Sequence, residues 1–226
     1  MEKQIKIPVG LPIGFFDSGI GGLTVLDAAK RILPQERFIY ISDTGYAPYG
    51  DKSPAYIVRR ADICVRRLIA CGCKAVVVAC NTATSAAIRY LRDKHQIPII
   101  GTEPAVLPAV RECGRESILV LTTVGAAAQK KFRAQVNKLN ADGYNIIVAP
   151  QEDLAMLIER DIGNPTVLRS FCRDILDKYP DVCGIVLGCT HFVYLRPYFG
   201  SKVKLFDGNV GVAFQLKRVV EENYNV

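Results

Sequence analysis

Val76-Val77-Val78-Ala79-Cys80-Asn81-Thr82-Ala83-Thr84-Ser85-Ala86-Ala87 is the stretch whose reading decides the fold. A short Val-rich apolar run reads as a strand buried in a parallel sheet. It ends on a cysteine, then passes through hydroxyl residues into an Ala-rich segment of high helix propensity. The pattern is strand, tight turn, helix, with Cys80 at the carboxyl end of the strand. Open α/β sheets bind their ligands at that end. The free N–H groups that begin the helix favour anions there and can lower a thiol pKa from its ordinary ~8.5.

Working outward, the pattern recurs. Gly184-Ile185-Val186-Leu187-Gly188-Cys189-Thr190-His191-Phe192 is again an apolar strand ending on a cysteine beside a hydroxyl residue. Each half of the chain thus delivers one thiol with hydrogen-bonding neighbours. The expectation is that the halves face each other and that the two thiols share one substrate.

Leu11–Phe16 reads as the first strand, and Asp17-Ser18-Gly19-Ile20-Gly21-Gly22 as a turn into a helix from Leu23. Its glycines permit close backbone approach to a ligand, but no G-K-[ST] follows, so it is not a Walker loop. Asp17 is either a helix N-cap or a carboxylate set beside the thiol of a neighbouring strand. Phe38–Ser42 is the second strand, followed by Pro48-Tyr49-Gly50, a turn that exposes backbone N–H groups. Ser53-Pro54 opens the next helix as N-cap and N1. Strands follow at Ile97–Gly101, Ser117–Thr123 and Ile146–Ala149, and the stretch after the Cys189 unit is Val203-Lys204-Leu205-Phe206-Asp207-Gly208. Thr102-Glu103-Pro104 marks the crossover between halves, and Asp153–Arg160 is a helix carrying Glu159. A helix is expected after the Cys189 turn, and the last helix, Val210 to Glu222, is expected to pack back on the first half. Strands alternating with helices imply parallel sheets. The domains expected are 1–98 with 208–226, carrying Cys80, and 99–207, carrying Cys189.

Bulk properties exclude several classes. The 226 residues are half hydrophobic, spread in short runs, and none reaches the ~18–20 apolar residues of a membrane span. Met1–Lys6 is charged and lacks an apolar signal core, so a cytoplasmic protein without membrane partners is expected. Eight cysteines in a chain of this kind read as reduced thiols, buried apart from the central pair. The net charge of +7 includes Arg59, Arg60, Arg66 and Arg67 and a second group, Lys130, Lys131 and Arg133. Without aromatic interleaving or a nucleic-acid motif these read as solvated helix faces. His95 reads as a surface residue at a helix end.

With these pieces in place, the chain resembles the glutamate racemases of the aspartate/glutamate racemase superfamily over nearly its whole length. The resemblance rests on F-D-S-G-I-G-G (Phe16–Gly22), D-T-x-x-x-P-Y-G (Asp43–Gly50), A-C-N-T-A-T (Ala79–Thr84) and L-G-C-T-H (Leu187–His191). It implies two flavodoxin-like, doubly wound α/β domains related by pseudo-symmetry, with the active site in the cleft between them. It implies racemisation of L- and D-glutamate without cofactor or metal, the D form going to peptidoglycan, and a homodimer. By motif position Cys80 and Cys189 are the acid/base thiols, assisted by Asp17 and His191, with Glu159 as a further acidic residue. Ser18, Pro48, Tyr49, Gly50, Asn81, Thr82, Thr123 and Thr190 fall on substrate-holding positions. The chain departs from the family pattern at Gly45-Tyr46, where A-R is usual, and at Ala126, where a hydroxyl is usual. Some members are activated by a cell-wall precursor through an N-terminal extension. With only Met1–Gly10 before the first strand, no such activation is expected.

Two bases on opposite faces suit a reaction that removes a Cα proton from one side and returns one to the other. Near-attack contacts on each side place the sulfurs roughly 6–7 Å apart, one as thiolate and one as thiol. Donors around the substrate carboxylate are then needed to stabilise developing charge. The competing readings are a racemase for aspartate or another amino acid, and a non-catalytic module in which the thiols hold a metal or form a disulfide. Zinc wants more ligands than the adjacent His191 adds.

Overall fold

The computed structural model describes residues 10–224. The expectations for Met1–Lys6 and for an N-terminal activator segment lie outside these residues. Two four-stranded parallel sheets form the frame. The first contains β1 (Ile13–Asp17), β2 (Phe38–Ser42), β3 (Ala75–Val78) and β4 (Ile99–Gly101), in the spatial order β2-β1-β3-β4. The second contains β5 (Ser117–Thr123), β6 (Asn145–Gln151), β7 (Gly184–Leu187) and β8 (Lys204–Phe206), in the order β6-β5-β7-β8. The two halves therefore repeat one topology, and the fold is the α/β class expected.

Between the strands run α1 (Leu23–Ile32), α2 (Pro54–Ala70), α3 (Asn81–Lys94), α4 (Val106–Cys113), α5 (Val124–Ala127), α6 (Lys130–Ala141), α7 (Leu154–Asp161), α8 (Pro165–Lys178), α9 (Arg196–Phe199) and α10 (Asn209–Tyr224). Successive strand residues face opposite sides of a sheet, and the core divides accordingly. In the first half Ile13, Phe15, Ala75 and Val77 pack with α1 and α10, through Val25, Leu26, Val212 and Leu216. Phe16, Val76, Val78 and Ile99 pack on the other side with α2 and α3. In the second half Leu119, Leu121, Ile185 and Leu187 meet α7 and α8, while Ile118, Val120 and Val186 meet α4 and α6. Covering both faces is what allows β1, β3 and β7 to be buried throughout, and β3 and β7 to be wholly apolar. Each such Val, Ile, Leu or Phe side chain contributes about 1.5–3 kcal/mol by leaving water.

The last helix returns to the first half as expected. Ser53 caps α2, accepting from Tyr56 N at 3.3 Å, with Pro54 in the first turn. Ile99–Gly101 pairs with β3 in the first sheet, on the far side of the expected 98/99 boundary. The first sheet ends instead at the Thr102-Glu103-Pro104 crossover. Among the described residues no helix is long and apolar enough to cross a membrane.

Four local expectations need correction. The arginines of α2 are not one solvated face: Arg60 is buried and forms a bidentate pair with Asp43, at 3.0 and 2.6 Å. His95 is no bare surface residue, because its Nε2 lies 2.9 Å from Asp62 Oδ1 and its side chain is 9% exposed. Cys71 is exposed and Cys183 half-buried, whereas Cys64, Cys73, Cys113 and Cys172 are buried. After Cys189 the chain forms a 3-10 helix, His191–Leu195, and one α turn, Arg196–Phe199, rather than a full helix. Pro197 lies at the start of that turn, and Gly200, at φ +70°, ends it.

Candidate active site

The pseudo-symmetry puts the thiols in equivalent places. Val78 and Leu187 are the β3 and β7 residues opposite Phe16 and Leu121, and each cysteine follows two residues later. Both side chains reach one cavity of about 250 Å³ between the halves. Ser18, Pro48, Tyr49, Gly50, Thr82, Thr123, Glu159 and His191 line it with Cys80 and Cys189. So do Ala47, Asp51, Val124, Gln151, Glu152, Asp153, Ala155 and Met156, which sequence reasoning missed. Several of these follow the carboxyl end of β6, where an α/β sheet offers ligand contacts. That strand carries no cysteine to draw the eye.

Three expected residues do not line the cavity. Asn81 Nδ2 faces the Thr102 carbonyl, at 3.5 Å. Thr190 and Asp17 lie behind the thiols and bond to each other, Thr190 Oγ1 donating to Asp17 Oδ2 at 3.1 Å. Asp17 is not the cap of α1, whose N-cap is Gly22. Its Oδ1 accepts from Gly19 N at 2.9 Å. Full burial raises the Asp17 pKa, against the opposing pull of His191, the Gly19 N–H and Thr190.

The surroundings of the two thiols differ. Cys80 N-caps α3, its Sγ accepting from Ala83 N at 3.4 Å with Ser18 Oγ 3.5 Å away. These bonds favour a thiolate, as the helix start predicts. Burial, reinforced by the Asp17 charge, outweighs them and pushes the Cys80 thiol up to about 12. Cys189 Sγ lies 3.8 Å from His191 Nδ1, and His191 Nε2 lies 2.7 Å from Glu159 Oε1. Burial pulls the His191 pKa down, but its bonds to Cys189 and Glu159 prevail and raise it to about 10. The same bond to His191 holds Glu159 below its ordinary value.

Backbone from the first half fits closely against this group. A Cβ on Gly21 would stand 2.4 Å from Thr190 Oγ1 and 2.7 Å from His191 Nδ1. Only glycine lets the loop approach so near. Across the cleft Thr82 Oγ1 and Thr123 Oγ1 are 3.0 Å apart, and Thr123 Oγ1 also accepts from Ala126 N at 3.2 Å. The Pro48–Gly50 edge is fixed through Tyr49, whose hydroxyl donates to Asp43 Oδ2 at 2.6 Å. Asp43 is in turn gripped by Arg60, and the Tyr46 ring lies 3.4 Å from the Arg60 guanidinium carbon. Tyr46, a departure from the family pattern, thus covers a buried cation. Ala126, the other departure, is buried and does not line the cavity.

The cavity between the two α/β halves thus holds one thiol from each half, each with its own polar partners. The family model described as Asp/Glu/Hydantoin racemase matches residues 24–213. The chain belongs to this family and is an amino-acid racemase, an isomerase. Glutamate racemase of Clostridium perfringens (strain SM101) is 41% identical over 230 residues, 99% of this chain and 87% of the relative. Glutamate racemase of Ectopseudomonas mendocina (strain ymp) is 38% identical over 94% of this chain and 83% of its own length. Among solved structures, Escherichia coli glutamate racemase, in complex with L-glutamate and the activator UDP-MurNAc-ala, matches with a TM-score of 0.84. Identity is 29%, over 93% of this chain and 83% of that one. Francisella tularensis glutamate racemase in complex with D-glutamate matches at 0.78 and 27%, over 96% and 84%.

Proposed function

We propose that this protein interconverts L- and D-glutamate by a two-thiol mechanism that requires no cofactor. The observation that carries the reading is the pair of thiols, one from each half, in a single cavity with different polar partners. His191, raised by its bonds to Cys189 and Glu159, is placed to supply the counter-charge when Cys189 acts as the base. Cys80, its thiol pushed up by burial, holds its proton. In one direction Cys189 takes the Cα proton and Cys80 delivers its own to the opposite face. Cys80 is then the thiolate, held by Ser18 Oγ and Ala83 N, and the reverse reaction exchanges the roles.

Among the described residues lining the cavity none is lysine or arginine. The carboxylates of glutamate are therefore held by hydroxyls and N–H groups: Ser18, Thr82, Thr123 and the backbone amides of Tyr49, Gly50 and the start of α3. Inside a closed, water-poor cleft such donors stabilise the charge that develops at Cα far more than they would in water. The relatives bound to L- and D-glutamate support this substrate, and the D-glutamate formed would supply peptidoglycan synthesis.

The test is circular dichroism of D-glutamate incubated with the protein and no added cofactor. Wild type is expected to remove the signal, and Cys80→Ala and Cys189→Ala to leave it. Signal change on D-aspartate alone would move the substrate; an active single-cysteine variant would end the two-thiol mechanism.

A further inference from the structure

Both polar backbone groups of Ile20, in the first half, are bound by side chains of the second. Ile20 N–H donates to Glu159 Oε1 at 3.0 Å, and Tyr194 OH donates to the Ile20 carbonyl at 3.2 Å. The loop is also held from its own side, by Tyr40 OH on the Gly19 carbonyl at 2.7 Å. Tyr194 stands three residues past His191 on the 3-10 helix His191–Leu195. Residues three apart on such a helix lie one above the other, so Tyr194 and His191 address the same loop. Glu159 Oε1 has two tasks, since it also meets His191 Nε2 at 2.7 Å.

We propose that Tyr194 is a positioning residue for the reaction: with Glu159 it clasps the backbone of Ile20 and holds the two halves shut over the cavity. The proposal rests on reading the cavity as the racemase site. Tyr194's part of the clasp shares no atom with the Glu159–His191 bond, so Tyr194→Phe loosens the clasp without removing that bond. Loosening the clasp lowers the population of the substrate-ready form, and apparent affinity falls by the same fraction. One neutral hydrogen bond corresponds to a change of about three- to tenfold. Among the described residues the His191 ring bonds to Cys189 and Glu159, and Tyr194 bonds instead to the Ile20 carbonyl.

The experiment compares full-length wild type with Tyr194→Phe, Glu159→Gln and the double variant, using three readouts. Hydrogen exchange at the Ile20 amide needs no activity. Kinetics separate KM from kcat. Histidine NMR follows His191, since the chain has two histidines and His95→Asn assigns the other. Tyr194→Phe is expected to speed Ile20 exchange and raise KM about three- to tenfold. Its kcat should stay within about twofold and His191 should titrate as in wild type. Glu159→Gln should speed the same exchange and move the His191 titration. The double variant should raise KM by less than the product of the single effects, because both act on one backbone unit. Equal Ile20 exchange in wild type and Tyr194→Phe overturns the clasp, as does a loss confined to kcat. If wild type itself fails to racemise glutamate, the substrate reading has failed, and the exchange data alone then decide the clasp.

Discussion

Thr190 Oγ1 donates to Asp17 Oδ2 at 3.1 Å, joining residues 173 apart in sequence and belonging to different halves. The bond lies behind the cavity wall, and Asp17 in turn acts by charge on Cys80. The electrostatics of one thiol therefore depend on a hydroxyl next to the other.

Thr190→Val removes a donor from a fully buried carboxylate, and Asp17 should shift further upward. A buried acceptor stripped of its partner costs about 1–3 kcal/mol, so kcat/KM should fall about ten- to hundredfold. The acid limb of its pH profile should move to higher pH. Thr190→Ser keeps the donor and should restore most of the activity.

The His191–Glu159 pair makes stability depend on pH in a definite direction. His191 is held up to about 10 from its ordinary 6.5, so its contribution is full below 6.5 and is lost as pH rises through about 10. Glu159 is held below its ordinary 4.5, so its contribution is present above 4.5 and is lost as pH falls through the depressed value. Urea midpoints of wild type should exceed those of His191→Asn most between about pH 4.5 and 6.5. The difference should shrink towards pH 10.

Of two glycines near the Pro48–Gly50 edge, one should be sensitive to alanine and the other indifferent. A Cβ at Gly125 would stand 2.6 Å from the Gly50 carbonyl oxygen, whereas one at Gly45 meets nothing within 4 Å. Gly125→Ala must displace backbone that lines the cavity, and steady-state kinetics should show kcat/KM reduced by about tenfold or more. Gly45→Ala should leave kinetics near wild type.

Arg60→Leu leaves Asp43 buried without its cation; their side chains are 8% and 5% exposed. Breaking such a pair by removing one partner costs about 3–5 kcal/mol. Arg59→Leu, one residue away and exposed, should stay within about 0.5 kcal/mol. Denaturant titration of both variants separates these outcomes.

Much of the frame was legible because it is local. A Val run bounded by turn residues identifies β3, and a serine before a proline marks the start of α2. The same locality misled at Arg60. Its neighbours Arg59, Arg66 and Arg67 do face solvent, but helical geometry turns Arg60 towards Asp43, which is 17 residues away. His95 was misread in the same way, because Asp62 is 33 residues distant. The helix expected after Cys189 failed because Phe192, Leu195 and Phe199 are drawn into the second core, with Pro197 and Gly200 limiting the regular turn.

The sequence by itself determined that two thiols stand at the carboxyl ends of equivalent strands, because a strand–turn–helix unit fixes where its last residue points. Only the tertiary structure decided which polar groups attend each thiol. His191 leans on Glu159, Glu159 on Ile20 and Thr190 on Asp17, and the last two of these contacts join one half to the other. Their energies depend on distance and burial, which spacing along the chain does not encode. The burial that pushes Cys80 up and the bonds within the second half that overcome it at His191 exist only once the chain is folded.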